Sequence, residues 1–140
     1  GRNVLQLVLP TYLVIYYSRV ALVRTVSVKR RPPGLRILDL SRQTLEEIRE
    51  SLRSMRTIVW NGPVGLFERS PFETGSIELA KILADSVAAI TVVGGGETAA
   101  AVAKAGVVDR LSHVSTGGGA SLKMLEGALL PGVEVLLDKE

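Results

Sequence analysis

Apolar and polar positions divide this chain into short apolar runs and longer segments of mixed character. Six runs rich in β-branched and aromatic residues predict strands, in order LQLVL, YLVIYY, TVSV, TIVW, AITVV and LSHVS. Because these runs contain few polar positions, we expect strands that are buried on both faces, as in a parallel sheet. The predicted strands lie at residues 5–9, 12–17, 25–28, 57–60, 89–93 and 111–115.

Four other segments have the spacing of apolar residues that is typical of amphipathic helices. The first helix is predicted at residues 44–55, where Thr44 and Glu47 have the spacing of a capping box at its N-terminus. Glycines at the ends of the last two segments, Gly106 and Gly127, are typical of helix C-termini. The other three helices are predicted at residues 75–87, 97–106 and 120–127.

Strands that alternate with helices of this length indicate βαβ units around a parallel sheet. We therefore predict an α/β protein with a Rossmann-like three-layer α/β/α fold. A chain of 140 residues forms a single domain over residues 1–140, because it is too short for two. Sheets of this kind bind ligands at the carboxyl ends of their strands. Here those ends lead into WNGPVGLFE, GGGET and STGGGAS, which we expect to meet at one edge of the sheet.

The composition argues against several classes of protein. An apolar fraction of 46% with 22% charged residues is typical of a folded globular protein. The chain has no cysteine and one histidine, which argues against disulfide scaffolds and against thiolate or histidine metal sites, and agrees with a cytoplasmic location. The apolar stretch at residues 3–23 is interrupted by Pro10 and Arg19, so it falls short of the ~18–20 residues of a spanning helix. No membrane partner is predicted.

Charge is distributed unevenly along the chain. Residues 1–60 contain eleven Lys and Arg against four Asp and Glu, whereas residues 61–140 contain six against ten. A basic half can indicate a nucleic-acid surface. However, the basic cluster VKRRPPGLR at residues 28–36 contains two prolines and no interleaved aromatic residue, which is typical of a solvated loop. Nucleic acid is therefore not predicted as a partner.

Two glycine triplets, at residues 94–96 and 117–119, each stand between a predicted strand and a predicted helix. A helix N-terminus has unpaired N–H groups and a partial positive charge, so bare backbone there lets a phosphate approach the amides. Close packing of a strand against a helix also selects glycine, and one triplet alone leaves both interpretations open. Two triplets on neighbouring strands favour two anion sites that face one crevice. Neither triplet matches the Rossmann or P-loop fingerprint.

The loop NGPVGLFE at residues 61–68 has a different chemistry. By itself NGPVG is a good turn. Phe67 offers an apolar wall that suits a purine, and Glu68 offers a carboxylate that suits the paired hydroxyls of a ribose. Beside two candidate phosphate sites, this loop is interpreted as the nucleoside end of a nucleotide site.

Four blocks of sequence resemble the C-terminal, nucleotide-binding domain of phosphoglycerate kinase. They are TIVWNGPVGLFE, PFETGS, VVGGGETAAAVAKAG and SHVSTGGGASLKMLEGALLPGV, in the family's order within residues 57–133. Residues 4–44 follow the family less closely. The resemblance implies a domain that is incomplete relative to the full family domain. It also implies a glycolytic kinase that transfers a phosphoryl group between 1,3-bisphosphoglycerate and ADP with Mg²⁺.

The resemblance further implies which residues bind the nucleotide, ADP or ATP. Glu68 would bind the ribose hydroxyls, Pro63 would lie near the nucleoside, and Asn61 would lie beside the phosphates. Thr98 would contact the nucleotide phosphates. The residues expected along the phosphate chain are those of the first triplet, Gly94, Gly95 and Gly96.

Catalytic and metal-binding roles are implied in the same way. Gly95 would act at the transferred phosphoryl group, together with amides of the second triplet, Gly117, Gly118 and Gly119. Glu97 would bind the Mg²⁺ of the nucleotide, at a position where the family normally has aspartate. The extra methylene of Glu97 would move its carboxylate away from the usual ligand position.

Other features depart from the family pattern. Tyr12 and Ser76 replace an aspartate and a threonine, and DLSR at residues 39–42 replaces DIGP. The family's first domain and its phosphate-binding lysine loop have no counterpart in the matched blocks, so 3-phosphoglycerate is expected only with a missing N-terminal domain. Three lysines lie in predicted helices away from the loops and receive no role: Lys81, Lys104 and Lys123.

Three hypotheses about function follow from these residues. The leading one is the later portion of a phosphoglycerate kinase nucleotide domain, which by itself is expected to be inactive. The second is a non-catalytic phosphoglycerate kinase-like protein that serves as a binding or structural subunit. The third is an unrelated nucleotide-binding module. In each case an uncovered parallel edge of the sheet would accept a strand from a partner chain.

Overall fold

The computed structural model describes residues 9–17, 22–30 and 32–136. The strands are β1 (Tyr12–Tyr17), β2 (Leu22–Ser27), β3 (Arg36–Leu40), β4 (Thr57–Asn61), β5 (Ile90–Gly94) and β6 (His113–Ser115). The α-helices are α1 (Arg42–Leu52), α2 (Thr74–Asp85), α3 (Gly96–Ala105), α4 (Gly118–Leu125) and α5 (Pro131–Glu134). Single 3₁₀ turns lie at Val28–Arg30 and Val108–Arg110.

The second half of the chain forms a parallel sheet in the order β4-β5-β6. Helix α2 connects β4 to β5, and α3 connects β5 to β6, so each pair of strands belongs to a βαβ unit. Trp60 pairs with Val93, which in turn pairs with Val114. The predicted α/β class and parallel sheet are therefore confirmed.

The first three strands form a separate antiparallel sheet in the order β2-β1-β3. The prediction of one continuous parallel sheet was wrong for this part of the chain. Only residues 18–21 separate β1 from β2, and a parallel pair needs a crossover of a dozen or more residues. Strand β3 was not predicted at all. The strand predicted at residues 5–9 lies outside the described residues except for Leu9.

One hydrophobic core joins the parallel sheet to helices α1, α2 and α3. Ile58 and Trp60 face this core from β4, while Val59 between them is 45% exposed. Strand β4 is therefore buried on one face within the described residues, and the prediction of burial on both faces was wrong for it. The helices contribute Leu45, Leu79, Ala80, Ile82, Leu83, Ala84, Ala101 and Val102.

The N-terminus of α1 differs from the predicted capping box. The cap is Ser41, whose side chain accepts a hydrogen bond from the N–H of Thr44. The hydroxyl of Thr44 instead donates to the carbonyl of Tyr12 and accepts from its N–H. The carboxylate of Glu47 accepts from the hydroxyl of Thr11, so it does not reach back to the helix end. Contacts with β1 therefore determine how these side chains are used.

Glycines end the last two predicted helices, as expected. Gly106 follows α3 with a φ of 70°, and Gly127 lies just beyond α4 with a φ of 81°. Both values lie in the left-handed region that glycine adopts without strain. Across residues 9–17, 22–30 and 32–136, no helix has the length and apolar character needed to cross a membrane.

Candidate functional site

A cavity of about 300 Å³ lies at the carboxyl ends of the three parallel strands. The predicted meeting of three strand-end loops at one edge is confirmed, because each loop contributes to its wall. The wall consists of Asn61, Gly62, Pro63, Gly95, Gly96, Glu97, Thr98, Thr116, Gly118 and Gly119.

The two glycine triplets contact each other at the base of this cavity. A Cβ atom on Gly118 would lie 2.7 Å from the Cα of Gly95 and 2.8 Å from its nitrogen. Real Cβ atoms essentially never come so close to backbone, so a side chain on Gly118 would force the two loops apart. The N–H of Gly95 also donates to the carbonyl of Ser115, at 2.9 Å. Close packing thus accounts for glycine at position 118.

Two other glycines of the triplets face open space. A Cβ atom on Gly96 or Gly119 would meet nothing within 4 Å, and neither residue has a positive φ. Both residues line the cavity. They lie in the first turns of α3 and α4, and neither helix has a side-chain cap. At Gly96 and Gly119, therefore, these helix N-termini offer backbone without a side chain to the cavity, which is the arrangement that favours an anion.

Side-chain hydrogen bonds hold the three loops together. The amide of Asn61 donates to the carbonyl of Gly118 at 3.1 Å, which links the end of β4 to the start of α4. Thr98 is 1% exposed, and its hydroxyl accepts from the N–H of Gly62 at 2.8 Å. The indole N–H of Trp60 donates to the carbonyl of Gly62 at 2.7 Å. These structural roles of Asn61 and Thr98 were not predicted, since the bonded groups are distant in sequence.

Among the described residues that line the cavity, Glu97 is the one with an acidic side chain. It is exposed and lies in the first turn of α3, where a carboxylate interacts favourably with the helix dipole. The described part of the chain contains no cluster of three or more His, Cys, Asp or Glu residues that could hold a metal ion. Mg²⁺ commonly binds through one or two carboxylates together with substrate phosphates. One carboxylate beside two helix N-termini therefore fits Mg²⁺ that arrives with a phosphate-bearing ligand.

The family model that describes phosphoglycerate kinase matches residues 2–128. The chain belongs to the phosphoglycerate kinase family. It is 48% identical to the phosphoglycerate kinase of Chloroflexus aurantiacus over 139 residues, which are 96% of this chain and 35% of that protein. It is 43% identical to the chloroplastic phosphoglycerate kinase of Volvox carteri over 138 residues, or 96% of this chain and 30% of that protein.

Solved structures of phosphoglycerate kinases share the fold. The enzyme from Coxiella burnetii aligns with a TM-score of 0.80 and 36% identity, over 90% of this chain and 33% of that chain. The enzyme from Pyrococcus horikoshii aligns with a TM-score of 0.77 and 35% identity, over 89% of this chain and 31% of that chain. The chain thus spans about a third of the length of these relatives, as expected of a partial phosphoglycerate kinase domain.

The residues that the phosphoglycerate kinase resemblance singled out do not all line the cavity. Gly94 is buried at the end of β5, where a Cβ atom would lie 3.6 Å from the Cα of Gly118. Gly117 is exposed, and its N–H donates to the hydroxyl of Ser115. Glu68 is also exposed and is not part of the cavity wall, while Phe67 packs against the hydrophobic core.

No lysine or arginine lines the cavity within the described residues. Lys81 pairs with Glu78 on α2, and Lys104 lies 3.9 Å from a carboxylate oxygen of Glu73. Lys123 is exposed on α4 and is likewise absent from the wall. In this member of the phosphoglycerate kinase family, the described backbone and one carboxylate therefore supply the polar groups of the cavity, together with Asn61 and threonine hydroxyls.

Proposed function

We propose that this chain provides nucleotide-binding residues of a phosphoglycerate kinase, which transfers a phosphoryl group between 1,3-bisphosphoglycerate and ADP in the cytoplasm. The observation that carries the proposal is the pair of uncapped helix N-termini, of α3 and α4, that face one cavity. Such termini bind phosphate groups through backbone N–H groups and the helix dipole. The family to which the chain belongs supports this choice of reaction.

Phosphoryl transfer requires positioning and charge stabilisation more than covalent chemistry from the protein. In the proposed site, Gly94, Gly95 and Gly96 lie along the nucleotide phosphates. The second triplet, Gly117, Gly118 and Gly119, lies beside the transferred group. Its amides at Gly118 and Gly119 are presented to that group, while the N–H of Gly117 donates to the hydroxyl of Ser115. Rigid backbone donors are suited to this task because they need no reorganisation when charge develops in the transition state.

The remaining proposed contacts concern the nucleoside and the metal. Pro63 would lie beside the nucleoside and Glu68 would accept hydrogen bonds from the ribose hydroxyls. Asn61 and Thr98 would contact phosphates while they hold the loops. Glu97 would hold Mg²⁺, and the bound ion would neutralise part of the phosphate charge.

The acceptor substrate, 3-phosphoglycerate, is proposed to bind outside these residues. The polar groups of the cavity wall, within the described residues, come from one edge of one sheet, and the matched relatives are about three times as long as the matched segment. A site for a second phosphorylated substrate therefore belongs to another part of a phosphoglycerate kinase.

A non-catalytic, nucleotide-binding member of the family is the second candidate. It is favoured by the lack of lysine and arginine in the described cavity wall, since cationic side chains normally stabilise a transferring phosphoryl group. Both candidates require that the two helix N-termini bind nucleotide phosphates. Nucleotide binding is therefore the property to test first.

Alanine at Gly96 or Gly119 tests the phosphate site without disturbing the fold. Each added methyl group enters open space at the cavity wall, where it would crowd an approaching phosphate. We expect either substitution to weaken ADP binding about tenfold or more, which corresponds to ~1.4 kcal/mol, in titration calorimetry. Adenosine, which has no phosphate, is expected to bind equally well to both variants and to the unsubstituted chain.

The matched control is Gly132→Ala in α5. A Cβ atom on Gly132 also meets nothing within 4 Å, but this residue is not part of the cavity wall. Its ADP affinity should equal that of the unsubstituted chain, and its melting temperature should not fall. Unchanged ADP affinity in both Gly96→Ala and Gly119→Ala would remove the two helix N-termini from the nucleotide site.

Substitutions at Glu97 test the metal site. We expect Glu97→Ala to weaken ADP binding about tenfold in the presence of Mg²⁺ and to leave binding in a chelator unchanged, because its carboxylate acts through the metal. Glu97→Asp should preserve the Mg²⁺ effect, and Glu126→Ala serves as a control because Glu126 lies outside the cavity wall. Equal Mg²⁺ dependence in all variants would exclude Glu97 as a ligand.

A further inference from the structure

The loop between β4 and α2, residues 62–73, contributes Gly62 and Pro63 to the cavity wall. Its far side is held by β3 and by the first turn of α2. The N–H of Leu66 donates to the carbonyl of Leu38 at 2.8 Å, and the hydroxyl of Ser76 donates to the carbonyl of Val64. The position of this part of the cavity wall therefore depends on contacts made outside the cavity.

A buried carboxylate lies at the centre of those contacts. Asp39, on β3, is 3% exposed and accepts hydrogen bonds from the N–H groups of Leu40 and Gly75, both at 2.8 Å. Gly75 belongs to the first turn of α2. Asp39 thus joins the antiparallel sheet to the helix that follows the loop.

Two glycines make room for this carboxylate. A Cβ atom on Gly65 or on Gly75 would overlap Oδ1 of Asp39. Gly65 also has a φ of +71°, which other residues adopt only with strain. The loop can therefore reach this position against the carboxylate only through glycine.

The environment of Asp39 places its ionisation near neutral pH. The pKa of Asp39 is raised to about 6, mainly by burial and to a smaller extent by the nearby charge of Glu73, while the hydrogen bonds from Gly75 and Leu40 act in the opposite direction. Glu73 is the charged side chain that acts on Asp39 within the described structure, and Lys104 lies beside Glu73. An ionised carboxylate accepts hydrogen bonds more strongly than a protonated one, so the charge of Asp39 sets how firmly it holds its two N–H partners.

We propose that Asp39 is a positioning residue for the candidate nucleotide site. Its ionised carboxylate accepts the N–H of Gly75, in the helix that follows the 62–73 loop, and packs against Gly65 within the loop. These contacts hold the loop in the conformation that presents Gly62 and Pro63 to a nucleotide. The link to nucleotide binding rests on the proposed function, whereas the control of the loop by Asp39 does not.

The single tryptophan reports on this loop directly. Trp60 is 7% exposed, and its indole N–H donates to the carbonyl of Gly62. We expect the fluorescence of Trp60 in the full chain, without ligand, to change with a midpoint near pH 6 as Asp39 loses its charge. The transition should be absent from Asp39→Asn, which cannot ionise. The same transition in Asp39→Asn and in the unsubstituted chain would overturn the proposal.

Two further variants keep this test decisive. His113 is the one histidine of the chain, and histidines commonly titrate in this pH range, so the transition must survive in His113→Gln. Loss of the transition in His113→Gln would overturn the assignment to Asp39. If Asp39→Asn does not fold, Glu73→Gln provides the test, because removal of the Glu73 charge should move the midpoint to lower pH. An unmoved midpoint in Glu73→Gln would contradict the proposal.

Ligand binding tests the second half of the proposal. An asparagine amide can accept only one of the two N–H bonds, so Asp39→Asn should raise the Kd for ADP about tenfold above the pH of the transition. The Kd for inorganic pyrophosphate should stay unchanged, because the helix N-termini hold the phosphates. Equal losses for both ligands, or none for ADP, would overturn the positioning role. If the unsubstituted chain binds no ADP, the proposed function fails, and the Trp60 titration alone decides whether Asp39 controls the loop.

Discussion

Replacement of Gly118 by alanine is expected to separate the two glycine loops and to destabilise the domain. The new methyl group would lie 2.7 Å from the Cα of Gly95. This neighbour is a backbone atom, so it cannot move aside by a change of side-chain rotamer. Overpacking of this kind costs about 2 kcal/mol. For a domain of this size that cost corresponds to a fall in melting temperature of roughly 8 °C. ADP binding should also be lost from the folded fraction, since the loops would no longer have the same spacing.

Gly119→Ala is the matched comparison for stability, because a methyl group added at this neighbouring position meets open space. It should leave the melting temperature unchanged or raise it by up to about 4 °C, because no atom has to move and alanine restricts the unfolded chain more than glycine does. Thermal unfolding followed by circular dichroism, with calorimetric titration of ADP, separates the two effects. If Gly118→Ala had the same melting temperature as Gly119→Ala and bound ADP normally, this result would contradict the contact between the triplets.

The contribution of Asp39 to stability is expected to increase as the pH falls from about 7 to about 4, which is opposite to the effect of carboxylates that are paired in the folded state. The pKa of Asp39 is about 6 in the folded chain, above the ordinary value of 3.8 that applies when the chain is unfolded. The folded state therefore binds the proton more tightly, so protonation favours folding. This contribution is complete below the unfolded pKa and is lost as the pH rises through about 6. A difference of about two pKa units corresponds to roughly 3 kcal/mol in the free energy of unfolding.

Chemical denaturation at a series of pH values measures this contribution. Asp39→Asn provides the control, because its side chain has no charge to bury and its stability should change little over the same range. The difference between the two proteins isolates Asp39 from other titrating groups. An equal pH dependence in both would mean that Asp39 ionises as readily in the folded chain as in the unfolded chain.

The two predictions about Asp39 describe opposite demands on one residue. Protonation stabilises the fold because it removes a buried charge, whereas the ionised form holds the N–H groups of Gly75 and Leu40 more firmly. If the loop must be held for nucleotide binding, the chain retains a group that lowers stability at neutral pH. Such trade-offs between stability and function are common at binding sites.

Local pattern was sufficient for the second half of the fold. The spacing of apolar residues and the glycines at the helix ends predict two strands, at Thr57–Asn61 and Ile90–Gly94, and the helices that connect the parallel strands. The first three strands show the limit of such patterns. The spacing of apolar residues predicts a strand but does not predict which strand it pairs with. Only the short separation of β1 from β2 indicates the antiparallel pairing that the structure contains.

The cap of α1 shows a similar limit. Ser41, Thr44 and Glu47 all have suitable chemistry, and their spacing allows more than one arrangement. The choice of Ser41 depends on the start of β1 and the residue before it. Tyr12 of β1 bonds the hydroxyl of Thr44, and the preceding Thr11 bonds the carboxylate of Glu47. A contact across more than thirty residues therefore decides a local feature.

By itself, the sequence determined the family, the parallel sheet and the edge at which the glycine loops meet. These features follow from periodicity, glycine positions and blocks of sequence, all of which are local or ordered along the chain. Only the tertiary structure decided which glycines serve packing and which face open space, because Gly118 and Gly96 differ solely in what lies beside them. It also decided that Asp39 is buried against two glycines, since burial depends on elements that are distant in sequence.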